Sequence, residues 1–156
     1  MKIRMLVFSL AASVALVSAT AATAATVTGR GEAVRACTAL RTTLGAQTFA
    51  LSFGTKSSSS AFGRCVTRFT PTANAAVASA RSACAGKTGK AFAACVQVRA
   101  DARMSALISS FKNAAMTCKS QLQSLGTATF AAKYDKVNHN LANAYGKCVS
   151  SHASSR

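Results

Sequence analysis

Cys37-Thr-Ala-Leu-Arg-Thr-Thr-Leu-Gly45 and Cys118-Lys-Ser-Gln-Leu-Gln-Ser-Leu-Gly126 open the same unit at two places in the chain. The first leads to Phe49 and Phe53 and closes on Ala61-Phe-Gly-Arg-Cys65-Val66. The second leads to Phe130 and Tyr134 and closes on Ala144-Tyr-Gly-Lys-Cys148-Val149. Counted from the opening cysteine, the Leu-Gly pair and both aromatics fall at equal offsets in the two copies. Repetition of this kind bounds architecture before anything else, and it does not bound function. A shortened middle unit, opened by Cys84, keeps the closing signature as Ala91-Phe-Ala-Ala-Cys95-Val96.

Six cysteines allow 15 pairings, and the repeat favours one of them. Each unit closes on itself, which gives Cys37–Cys65, Cys84–Cys95 and Cys118–Cys148. A loop closed in this way stabilises a fold by about 3–4 kcal/mol in the chain-entropy picture. Zinc is the competing use of cysteine. No C-x-x-C occurs and there are two histidines, so the usual ligand spacing is absent and no metal or cofactor is expected.

The N-terminal residues carry the signature of an export leader. Lys2 and Arg4 precede the apolar run Met5 to Val17, followed by a small-residue tract with Ala22-Thr23-Ala24. An uncleaved anchor is disfavoured, because residues 18–28 are mostly Ala, Ser and Thr rather than the Leu, Ile and Phe of a span. The expected organisation is a leader over 1–24 and one domain over 25–156, with units at about 37–66, 84–96 and 118–149. No integral membrane span is expected after cleavage. The destination is extracellular, with association to the cell wall as one form of it, and an oxidising compartment makes the cysteines structural.

Composition selects helix. Alanine is abundant, Pro71 is the single proline and tryptophan is absent. Val34, Cys37, Leu40 and Leu44 recur at helical spacing. The stretch from Gly54 to Ser60 reads as a loop, and Thr70-Pro71 reads as a cap and first turn opening a helix through Ala83. Between Lys90 and Leu125 neither Gly nor Pro occurs. Met104, Leu107, Phe111, Ala114, Cys118, Leu122 and Leu125 step by three or four, which predicts the longest helix. The last segment carries Phe130, Tyr134, Val137, Leu141, Tyr145 and Cys148 on one stripe, with Asn138-His-Asn140 as its weak point. The fold class is therefore all-α: a small disulfide-stapled helical domain of three repeated units around one long central helix. Most of the aromatics fit its core rather than a stacking platform.

Few residues invite catalysis. Gly86-Lys87-Thr88 resembles the end of a phosphate-binding loop, but Arg81 stands where its leading glycine belongs and no strand precedes it. Glu32, Asp101 and Asp135 are the only acids and are scattered, which disfavours a carboxylate pair. A ribonuclease-like site would need His139 and His152 with Lys147, and His152 lies among the last few residues, where chains usually fray. No enzyme is expected.

Charge is more informative. The chain has 19 basic and 3 acidic residues, a formal +16. Such an imbalance attracts polyanions and steers them inward. Arg64 and Lys147 sit inside the closing signature beside bridges that fix them. Arg99 and Arg103 lie one turn apart on the long helix, with Lys112 and Lys119 further along. These six are the candidate binding residues for phosphates or other anionic groups. The bland alternative is a solvated face that keeps an alanine-rich chain in solution.

The run Leu-Gly-x3-Phe-Ala-x2-Tyr followed by Asn-Ala-Tyr-Gly-Lys-Cys-Val-Ser resembles a repeat of uncharacterised small secreted proteins of actinobacterial type. The unit from Cys118 to Ser150 matches best. Asp135 stands where that pattern usually has glycine, and the first unit keeps the glycine as Gly54. The resemblance implies export and paired cysteines, and it brings no activity. The leading expectation is a secreted, non-catalytic protein that binds an anionic polymer, either a cell-wall polymer such as teichoic acid or extracellular nucleic acid. A membrane-active cationic protein and an exported ribonuclease-like hydrolase are the alternatives. Against the former, the apolar stripes are needed for the core.

Overall fold

The computed structural model describes residues 26–154, so the leader assigned to 1–24 lies outside the described residues. The described chain is all-α. Its helices are α1 (Gly29–Leu44), α2 (Ala46–Ser52), α3 (Ser58–Ala83), α4 (Gly89–Tyr134) and α5 (Leu141–Ser154). Helix α4 packs against each of the other four and is the spine of the domain.

Local chemistry sets the boundaries. The Thr28 side chain accepts from the Gly31 amide and starts α1, and Ser57 does the same for α3 through Ser60. Asn140 caps α5, its Oδ1 accepting from the amides of Ala142 and Asn143. Between α1 and α2 the chain turns at Gly45, with φ 75° and ψ 158°. Inside α4 it breaks at Gly126, with φ 73° and ψ 162°. Only glycine adopts that region readily. The two Leu-Gly pairs of the repeat are thus one backbone device used twice, each setting an aromatic-bearing helical segment at an angle to the one before it.

Three sequence expectations are corrected. Pro71 does not open a helix; it lies inside α3, which runs unbroken across it from Ser58. The proline removes the bond to the Thr67 carbonyl. Thr67 and Pro71 are both exposed, so water can satisfy that group. The serine stretch is loop only as far as Ser57, since its later serines form the first turn of α3. His152 is not in a frayed tail; it sits in α5, half-buried, with a ring nitrogen 3.2 Å from the Gln121 side-chain nitrogen.

The bridges are Cys37–Cys65, Cys84–Cys95 and Cys118–Cys148. They tie α1 to α3, the end of α3 to the start of α4, and α4 to α5. Around the first of them the aromatics interlock. Phe53 stacks on Phe111 at 4.9 Å and 16°, and Phe69 meets Phe111 edge-on at 5.5 Å. Phe111 comes from α4, so this cluster joins the first unit to the spine. Phe130 and Tyr145 play the corresponding part near the third bridge, with ring centroids 6.0 Å apart. The Tyr145 hydroxyl is buried and donates to the Ala115 carbonyl at 2.6 Å. Burial pushes this phenol up to about 12.

Candidate functional site: a cationic cleft between α3 and α5

The closing signatures of the first and third units each place a cation just before the cysteine, and the fold treats the two alike. Arg64 Nη1 donates to the carbonyls of Phe53 (3.2 Å) and Gly54 (3.4 Å), directly after the second aromatic of its unit. Lys147 Nζ reaches Asp135 Oδ1 at 2.6 Å, the residue directly after Tyr134. Backbone carbonyls serve in one unit and a buried carboxylate in the other. Lys147 holds the Asp135 carboxyl below its ordinary value of 3.8, against the opposing effect of burial, and the Asn140 amide adds to the lowering.

These two cations line one cleft of ≈ 510 Å³. Arg64 and Arg68, one turn apart, form its α3 wall, and Asn143, Gly146, Lys147 and Ser150 form its α5 wall. Ser52, Phe53 and Gly54 at the end of α2 close the floor. Gly146 brings α5 close to that floor, since a Cβ there would stand 3.0 Å from the Gly54 nitrogen. Arg68 spans the gap: its Nη1 donates to Ser150 Oγ at 3.0 Å, and its guanidinium lies 5.5 Å over the Phe111 ring. Arg64 and Lys147 remain exposed despite these bonds, so their free donors face solvent.

Acidic groups do little to offset this charge elsewhere. Glu32 is buried, paired with Arg35 and bonded by Gln97 Nε2 at 3.0 Å, and Asp101 lies 3.7 Å from the same Arg35. Asp135 is the third acid. All three carboxylates are engaged by Arg35 or Lys147.

Of the six cations singled out in the sequence, the structure brings Arg64 and Lys147 together. Arg99 and Arg103 are exposed and Lys112 is half-buried, strung along α4. Lys119 lines a separate hollow of ≈ 210 Å³ with Gln47, Thr48 and Leu122. From Arg99 to Lys119 the helix rises about 30 Å, too long for one anionic group. Arg68, Asn143 and Ser150 were missed. The available signal for Arg68 was its place one turn beyond Arg64.

The two histidines lie toward opposite ends of α5, with His139 in the preceding loop at φ 49°. About 15 Å of helix separates them. Gly86, Lys87 and Thr88 form the turn between α3 and α4. Among the described residues, Cys118, Cys148 and His152 group the side-chain types that ligate metals, at the third bridge rather than in this cleft. No family model, curated protein or solved structure matches the chain.

Proposed function

We propose that this protein is exported and binds anionic polymers without catalysing a reaction, gripping their charged groups in the cleft between α3 and α5. The observation that carries this reading is the convergence of Arg64, Arg68 and Lys147 on one open cleft whose lining holds no acid, the buried Asp135 reaching it only through its bond to Lys147. Guanidinium forks match the oxygens of a phosphate in pairs, and an asparagine and a serine on the facing wall add neutral hydrogen-bonding groups. The cleft is wide enough for a phosphate together with the sugar or polyol that carries it. Three bridges hold both walls in advance, so little order has to be imposed on binding. Export is supported by the leader-like N-terminus and by the pairing of all six cysteines. Among the described residues no helix is long and apolar enough to cross a membrane. The exposed large apolar side chains sit singly on α1, on separate turns of α4 and in the loop before α5, which does not favour the membrane-active alternative.

The test is a salt titration of the oxidised protein against DNA, teichoic acid and anionic liposomes. A polyanion receptor holds one polymer at physiological salt, and its affinity falls steeply and linearly on logarithmic axes. Weak binding to all three that vanishes near physiological salt would make the charge a solubility device.

A further inference from the structure

The three bridges are chemically unequal. The fourth residue after each closing cysteine, one turn along the helix, is Phe69 in the first unit, Arg99 in the second and His152 in the third. In the third unit this places an imidazole against the sulfurs. The ligand atoms of Cys118, Cys148 and His152 lie within 4.8 Å of one another, on two helices whose bridged Cα atoms are 6.0 Å apart. Cys148 and His152 face the same side of α5, and Cys118 faces them from α4.

Hydrogen bonding around Gln121 fixes which ring nitrogen is offered. Gln121 Oε1 accepts from Tyr134 Oη at 2.5 Å and from Lys133 Nζ at 3.3 Å. These two donors orient the amide so that its nitrogen points at His152 Nε2, 3.2 Å away. An N–H on that ring nitrogen would oppose the amide N–H, so Nε2 presents its lone pair. An imidazole nitrogen beside two sulfurs is the donor set of a zinc-type centre, lacking only a fourth ligand that water supplies.

We propose that the third bridge is the oxidised form of a metal site, and that on reduction Cys118, Cys148 and His152 take a soft divalent cation such as Zn²⁺. With a phosphine as reductant, two electrons break the S–S bond, each sulfur gains a proton, and the phosphine takes an oxygen atom from water. Metal binding then releases both protons, leaving two thiolates and the ring as ligands. The sulfurs separate by side-chain rotation, and the ring exchanges its bond to Gln121 for the metal. The metal-bound and bridged forms exclude each other, so the ion would delay closure of this bridge alone.

The test uses the full mature chain, reduced with a phosphine and titrated with Co²⁺ as a coloured stand-in for Zn²⁺. Expected is one strongly bound ion per chain with thiolate charge-transfer and tetrahedral ligand-field bands, weakened at least about 100-fold in His152→Ala, since even loss of an outer-shell partner costs up to that much. Alkylation mapping decides the matter even if the reduced chain loses its fold. Zn²⁺ should protect Cys118 and Cys148 and leave Cys37, Cys65, Cys84 and Cys95 reactive. Equal protection of all six, no protection of any, or unchanged Co²⁺ affinity in His152→Ala would overturn the proposal.

Discussion

Asp135 and Tyr145 are two buried ionisable groups near the third bridge, and each links stability to pH with its own sign. Asp135 titrates below 3.8 in the folded chain because Lys147 favours its charged form. Its contribution is fully present above that value and is lost as pH falls through the folded pKa. Denaturant midpoints should therefore drop more steeply below pH 4 in the native protein than in Asp135→Asn, which has no carboxyl to protonate there. Tyr145 has the opposite sense. Its folded value near 12 exceeds the ordinary 10, so the unfolded chain ionises first and stability falls between those limits. Tyr145→Phe should abolish that alkaline component and cost about 0.5–1.5 kcal/mol at neutral pH through the lost bond to Ala115.

At the scale of elements, the two Leu-Gly turns make the repeat testable. Gly45 and Gly126 occupy the same left-handed, extended region, and a Cβ at either meets no neighbour, so the cost of substitution is backbone strain alone. Gly45→Ala and Gly126→Ala should each destabilise by about 1–3 kcal/mol, to similar extents, in chemical unfolding. A large difference between them would mean that the units only look alike in sequence. Gly29 differs in kind: its Cβ would stand 2.7 Å from the Asn74 Cα, so there the cost is collision between α1 and α3. These turns were legible because glycine at a fixed offset from cysteine has a local cause. Helix α3 was less so. Thr-Pro is a good local start signal, yet Ala61, Cys65, Phe69, Ala73, Ala76, Val77 and Ala80 carry one buried stripe straight past Pro71. Packing on α1 and α4 outweighs a proline cost of about 3 kcal/mol, and that packing is not visible in a local window.

For the molecule as a whole, the bridges set the energetic frame and the cleft is the seat of the proposed function. The loops closed by Cys37–Cys65 and Cys118–Cys148 span 28 and 30 residues and that of Cys84–Cys95 spans 11. Paired Cys→Ser replacement of either long bridge should cost about 1 kcal/mol more than replacement of the short one in thermal unfolding. The pairing was readable because each unit closes on itself. The cleft was half readable. Arg64 and Lys147 stand at matching positions in a repeated signature, whereas Arg68 and Ser150 meet only because α3 and α5 face each other across the end of α2. Sequence spacing also favoured the cations of α4, which share a helix without sharing a site.

One comparison tests the cleft most directly: the salt dependence of polyanion binding in Arg68→Gln/Lys147→Gln against that in Arg99→Gln/Arg103→Gln. Both double variants remove two charges, so net charge is matched. The account predicts that the first loses at least about tenfold in affinity at physiological salt and about 2 from the logarithmic salt slope, while the second stays close to the native protein. Equal losses in the two would contradict it, because the protein would then be sensing total charge and the cleft would have no special part.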